Sequence, residues 1–261
     1  MAANPLELTF WAKTSGTWIN CLTVLLGTGT GLWLQDRLPK AMQQVITQGV
    51  GLLTVFLGLT LAERMLPVRV AAVDGLIVGL VALIGGGLLG EWWEIEQRLM
   101  VLGEGLKQRF RGQGRFAEGF VTASLLFCIG PMALIGSLNN GLQGDDRLLL
   151  VKATMDGLVA IALTGSYGIG VGFSTLALLI YQGGLSLLAG LFAQGLLAQG
   201  LADPAQSPGL LVATGVGGLM ILGTGLNLLE IAKIRVASFL PSLAIAPCLL
   251  LLAERLGWAV S

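Results

Sequence analysis

Uninterrupted apolar stretches of about twenty residues, the length a helix needs to cross the hydrocarbon of a bilayer, recur along the whole chain. Eight are bounded by charge, proline or glycine clusters: 16–35, 44–62, 68–90, 117–138, 151–165, 174–195, 209–229 and 236–253. They predict an all-α polytopic membrane protein of about eight transmembrane helices, or seven, since the glycine-rich run TGSYGIGVGF (164–173) interrupts the fifth and sixth. A single integral membrane domain over 1–261 is expected, with an N-terminal extension (1–15) and a polar connector (91–116) set apart from it. The N-terminus does not read as a signal peptide, having one lysine and no small-residue cleavage site before a run long enough to span.

Composition agrees and excludes much else. Hydrophobic residues make up 54% of the chain and charged ones 11%, with a mean hydropathy of +0.82, against about 25% charge in soluble domains. With no histidine, the imidazole base, the usual serine or cysteine triads and every histidine-containing metal site are missing. The cysteines, Cys21, Cys128 and Cys248, lie far apart in apolar runs and read as small core residues. The chain therefore reads as a non-enzyme with no metal, no catalytic residues and no cofactor. GTGTG (27–31) lacks the Lys-Ser/Thr that a phosphate loop requires. Fifteen basic residues balance fifteen acidic ones without a basic stripe, so no nucleic acid is expected. The expected partners are the lipid bilayer and a small ion or solute, with a homo-oligomer as a further possibility.

Glycine is the telling residue, 39 of 261, placed inside the apolar runs. On helical wheels Gly75, Gly79, Ala82, Gly86 and Gly90 share a face, as do Thr47, Gly51, Thr54 and Gly58, and Thr17, Asn20, Gly27 and Gly31. These are seams for close helix packing in lipid. A second set, Gly136, Gly141, Gly165, Gly168, Gly170 and Gly172, is expected to mark helix breaks. Trp18 and Trp33 bracket the first segment, Trp92 and Trp93 follow the third and Trp258 the eighth, as in an aromatic belt.

Within the connector, Trp92, Ile95, Leu99 and Leu102 recur at helical spacing ahead of Lys107, Arg109, Arg111 and Arg115, the pattern of an interfacial amphipathic helix with a basic end. With eight crossings its face collects nine Lys or Arg (37, 40, 98, 107, 109, 111, 115, 233 and 235) and the other face six (13, 64, 69, 147, 152 and 255). The positive-inside rule then places the connector in the cytoplasm and both termini outside.

A shift of 166 residues aligns 49–72 with 215–238 without a gap, and seven of 24 positions are identical, among them Gly49, Val50, Gly51 and Arg69 against Gly215, Val216, Gly217 and Arg235. Segments two and three then match seven and eight. An odd number of segments separates the copies, as an inverted repeat requires. A weaker echo at offset 82 pairs Asp74-Gly75 with Asp156-Gly157 as equivalent helix starts.

Carboxylates are costly inside lipid, which singles out Asp74 and Asp156, each following a base, Arg69 and Lys152. Two roles fit: a cation or proton site facing the bundle interior, or a local pair with the neighbouring base at a helix start. Gly130-Pro131 breaks the fourth segment and frees backbone groups, with Ser137 and Asn139 beyond it as polar candidates. TGSYGIGVG superficially resembles a potassium-channel filter, but a glycine-rich turn or re-entrant break fits better. The candidate path residues are Asn20, Asp74, Ser137, Asn139, Asp156, Tyr167, Ser174 and Gln182.

Four blocks, GTWINCLTVLLGTGTGLWL, FVTASLLFCIGPMALIGSLNNGLQGD, VKATMDGLVAIALTGSYGIGVGFSTLALLIYQGGLSLLA and IRVASFLPSLAIAPCLL, resemble the YqgA/YdfK-like family of bacterial inner-membrane proteins, the domain-of-unknown-function 554 family. The resemblance implies a multi-pass plasma-membrane protein and carries no activity to transfer. The chain departs from the shortest members in its extension 1–15 and in 194–209, both expected to be peripheral. Together these readings point to a small ion or solute transporter or channel-like permease without its own motor. The alternative is a non-transporting scaffold that binds protein or lipid through the 91–115 connector.

Overall fold

A computed structural model of the chain describes residues 9–35, 37, 39–70, 73–110, 112, 114–189 and 208–255. Apart from one short hairpin, these residues form helices and the turns between them. In chain order they are α1 (Phe10–Gln35), α2 (Lys40–Ala62, closed by the 3-10 turn Glu63–Met65), the strands β1 (Arg69–Val70) and β2 (Val73–Asp74), α3 (Gly75–Trp92), α4 (Ile95–Phe110), α5 (Phe116–Cys128), α6 (Pro131–Gln143) and α7 (Arg147–Tyr167). They continue with α8 (Gly170–Leu178), which runs through a π-helical turn (Leu179–Gly183) on to Ala189, then α9 (Pro208–Leu228), the 3-10 turn Val236–Phe239 and α10 (Ser242–Arg255). The chain divides into two compact units, one from Met1–Thr47 and Val101–Ala202, the other from Gln48–Met100 and Asp203–Ser261.

In the first unit α1 is the central helix. Thr14, Gly16, Thr17, Asn20, Cys21, Val24, Gly27, Thr28 and Gly31 recur every three or four residues and are buried, while Trp11, Trp18, Leu22, Leu25, Leu26 and Trp33 are exposed. Small and polar residues inside, large apolar ones outside: water would invert this arrangement, and lipid favours it. Glycine permits the contact with α7, because a Cβ on Gly31 would lie 2.6 Å from the Ile161 carbonyl oxygen and one on Gly27 would overlap that of Gly157. On another side α1 meets α8 in the opposite sense, with Thr28 against Gly172 and Thr17 against Gly183.

In the second unit α2 and α9 run antiparallel along their glycines, Gly51 against Leu229 and Gly58 against Gly218 and Leu222. The second pair, α3 and the stretch leading into α10, is also antiparallel, with Gly86 against Ser242 and Gly90 against the Ser238 carbonyl. Between them lies a core of Met65, Val68, Val78, Ala82, Val212, Val216, Ala246 and Leu250. Every glycine expected in a packing seam is in one.

Five described helices are long and apolar enough to cross a membrane: Ala41–Met65, Gly75–Trp92, Arg147–Tyr167, Gly170–Ala189 and Pro208–Leu228. The bent pair Phe116–Cys128 and Met132–Gln143 makes a sixth if it is one span. Two of the eight expected segments fall outside this set. The first, α1, has the length but carries its polar stripe; the last is cut at Leu240–Pro241, leaving only a short apolar stretch, Val236–Leu252.

The expected break glycines divide differently. Gly168 (φ +69°) does end α7, and Gly130 (φ +147°) forms the 63° bend between α5 and α6 ahead of Pro131. Gly136 and Gly141 instead lie inside α6 against Leu149 and Ser186, Gly165 lies inside α7, and Gly172 packs on Thr28. The filter-like run is therefore helix almost throughout, interrupted only at Gly168 and Ile169. The extension 1–15 is not wholly peripheral: from Phe10 it is the first turn of α1, and the Ser15 hydroxyl donates to Asp146 at 2.7 Å. Residues 190–207 and Trp258 lie outside the described residues, so the end of the sixth segment and most of 194–209 are not described.

Candidate functional site

Three of the sequence candidates meet in the first unit. Asp156 is the tenth of the 21 residues of α7, about 14 Å from its start at 1.5 Å per residue. Lys152, one turn earlier on α7, pairs with its Oδ2. From α1 the Asn20 Nδ2 donates to the same oxygen at 2.9 Å, and also to Gln182 Oε1 at 3.1 Å. Asn20 and Gln182 are completely buried, and Lys152 and Asp156 are 6% and 8% exposed. Gln182 lies in the π-helical turn of α8, a distortion of the helix often found at functional sites.

Lys152 was not among the candidates, since position 152 reads as an interfacial charge at a segment start. The structure begins α7 at Arg147, a full turn earlier, which carries Lys152 inward. Several polar atoms around the cluster are buried without a partner: Asn20 Oδ1, Gln182 Nε2, Thr17 Oγ1 and, one turn past Gln182, Ser186 Oγ.

The other candidates are elsewhere. Asp74 belongs to the second unit, at the start of α3, where it pairs with Arg69 at 3.0 Å with its side chain half-exposed. The equivalence of Asp74 and Asp156 suggested by the offset of 82 therefore fails: one opens a helix at the surface, the other sits in mid-helix. Ser137 and Ser174 are buried, but their hydroxyls donate to Ala133 and Val171 of their own helices. Tyr167 closes α7 with the Arg115 guanidinium 4.9 Å from its ring centre.

Asn139 is only partly buried, and its neighbour Asn140 does the structural work. The Asn140 amide donates to the Ala12 carbonyl at 3.0 Å and accepts from the Gly16 N–H at 3.1 Å, straddling one rung of α1. Two adjacent asparagines on a helix cannot be told apart without knowing which side faces α1.

Within the second unit two acids of the connector, Glu91 at the end of α3 and Glu96 at the start of α4, are engaged by the 235–238 stretch. Glu91 pairs with Arg235 and accepts from the Ser238 hydroxyl, while Glu96 accepts from the Ala237 N–H at 3.0 Å. Burial pushes the Glu96 carboxyl above the ordinary 4.5, against the lowering effects of the Ala237 N–H and the Arg235 charge. Among the described residues no group of acids and cysteines is arranged to hold a metal ion.

Long apolar helices, interiors of small residues and a buried polar cluster at mid-helix define an α-helical membrane protein with several spans. The chain belongs to the family described as proteins of unknown function DUF554, whose profile matches residues 15–251. It is similar to the uncharacterized membrane protein YdfK of Bacillus subtilis, 30% identical over 242 residues that cover 93% of this chain and 98% of the relative. It is also similar to the uncharacterized protein YqgA of Escherichia coli, 29% identical over 238 residues covering 88% of this chain and 94% of the relative. No solved structure matches it.

Proposed function

We propose that the protein is a non-enzymatic transporter or channel-like permease for a small ion or solute in a bacterial plasma membrane, with its central site at Asn20, Lys152, Asp156 and Gln182. The observation that carries this reading is the Lys152–Asp156 pair enclosed at mid-helix with its two amide partners. Burying two charges is expensive, and a well-packed apolar pair would often stabilise a helix bundle as well or better. A charge pair kept there suits handling of a solute more than holding the fold. The scaffold reading has less to draw on, because Glu91 and Glu96 of the connector are already engaged within the chain.

The test is flux of a panel of ions and small solutes into liposomes containing the purified protein. Wild type and Asp74→Asn should carry the same substrate, and Asp156→Asn should lose the flux. No flux in wild type, or flux that survives Asp156→Asn, overturns the reading.

The finer reading of the architecture is an inverted repeat relating α2 and α3 to α9 and α10. An axis in the membrane plane requires equivalent helices to be antiparallel and to cross at equivalent residues. The 166-residue shift carries Val55 to Ile221 and Val81 to Pro247. Contacts of Val55 with Gly225, Gly58 with Leu222 and Gly86 with Ser242 centre the two crossings close to those positions. We also propose that the connector faces the cytoplasm. Lys152 drops out of the outer-face charge count because it is buried, which strengthens the charge bias, and the Glu91–Arg235 contact joins two segments assigned to the same face.

A further inference from the structure

The polar cluster is closed with respect to charge and open with respect to hydrogen bonds. Asp156 Oδ2 accepts from both Lys152 and Asn20, so the two charges of the cluster cancel. The same contact fixes how the Asn20 amide faces. Turned over, it would aim its oxygen at a carboxylate oxygen 2.9 Å away, so its NH2 must face Asp156 and, at 3.1 Å, Gln182 Oε1. Each amide is then left with one unused group: Asn20 Oδ1, an acceptor, and Gln182 Nε2, a donor. Both residues have no exposed surface. Buried polar atoms in proteins are almost always satisfied. Thr17 Oγ1, one turn from Asn20, is in the same state.

We propose, resting on the transport reading above, that this cluster binds a small solute of zero net charge carrying both a donor and an acceptor, an uncharged amide- or hydroxyl-bearing molecule. An ion of either sign would add an uncompensated charge to an enclosed site whose own charges already cancel, at a heavy desolvation cost. An uncharged solute adds none and supplies the two missing partners. Gln182 gives the donor, Asn20 the acceptor and Thr17 a hydroxyl, while the Lys152–Asp156 pair holds Asn20 in the orientation that leaves its oxygen free.

Stopped-flow light scattering of liposomes containing the full chain, with urea and glycerol as probes, tests this, and dyes in the same vesicles report potassium, sodium, proton and chloride flux. The expected result is urea or glycerol permeation above that of empty vesicles with ion flux at their baseline. Gln182→Leu and Thr17→Val should each reduce permeation about fivefold, the order of one lost neutral hydrogen bond. Thr17→Val replaces an unpartnered buried hydroxyl with a methyl, a change the fold tolerates, so loss of flux in that variant reports on the path rather than on folding. Ion flux without solute flux overturns this inference and leaves the transport reading standing. Absence of both overturns both. Solute flux unaltered in the two variants overturns the assignment of the site.

Discussion

Asp74 and Asp156 look alike in the sequence, each a few residues past a base and just before a glycine, and the structure gives them opposite surroundings. Arg69 and Asp74 face each other across the hairpin, largely in solvent, where such a pair contributes about 0–1 kcal/mol. Lys152 and Asp156 are enclosed, so removing one charge strands the other. Asp156→Asn should therefore lower stability by about 3–5 kcal/mol, whereas Asp74→Asn should hardly change it. Lys152→Met combined with Asp156→Leu should recover most of the loss, because it leaves no unpaired charge. Thermal unfolding of the four proteins in detergent checks this, and a double variant no more stable than Asp156→Asn would show that the pair also holds the fold. The sequence revealed which residue types matter but not their depth, since α7 starts at Arg147, where the Asp145 carboxylate accepts from the Arg147 N–H at 3.1 Å, a turn before the apolar run begins. The meeting of Asn20 with Gln182, across 162 positions of sequence, had no local signal at all.

Helix seams were far more legible, because a glycine stripe at three- and four-residue spacing has few uses in lipid besides close packing. Glycines off the stripe were misjudged where one residue type serves two purposes: Gly136 and Gly141 pack, whereas Gly130 and Gly168 bend the chain. The distinction predicts unequal costs for the same change. A methyl on Gly90 would overlap the Ser238 carbonyl, while one on Gly29 would meet nothing within 4 Å. Gly29→Ala should leave the melting temperature unchanged or raise it, by up to about 1 kcal/mol of helix propensity, and Gly90→Ala should lower it by several degrees. Equal effects would mean that the contact between α3 and the 236–239 turn is not a close one.

The hold of α4 on that same turn carries a pH dependence. Glu96 has its carboxyl raised by burial, with Glu91 adding to the rise and Arg235 and the Ala237 N–H opposing it. An acid whose value is higher in the docked state binds its proton more tightly there. Docking is therefore fully favoured below the ordinary 4.5 and weakens as pH rises through the raised value. Glu96→Gln, neutral at every pH, should abolish that weakening. Amide protection of 95–100, taken relative to the intrinsic exchange rate at each pH, should rise on acidification in wild type and show no such trend in the variant; a trend that persists would assign the effect to another group.

At the scale of the whole molecule, the class of protein was readable from run length and charge alone, because lipid allows few alternatives to a bundle of helices. The count of spans was not, since α1 gives up apolarity to line an interior and the last segment is cut at Leu240–Pro241. An inverted repeat carries a consequence that no local contact can satisfy. If α2 and α3 map onto α9 and α10 through an axis in the membrane plane, the turn between the first two and the turn between the second two emerge on opposite faces. Leu66 and Ile231, both well exposed, mark those turns. In a background with Cys21, Cys128 and Cys248 replaced, Leu66→Cys should react with a membrane-impermeant maleimide added to intact cells stripped of their outer barrier. Ile231→Cys should react only in inverted membrane vesicles. Labelling of both from one side would dismiss the inverted repeat and leave the 166-residue match as a coincidence of glycine, valine and leucine. The reverse pattern, with Ile231 labelled in intact cells, would keep the repeat and turn the protein over in the membrane, placing the connector and its basic run outside.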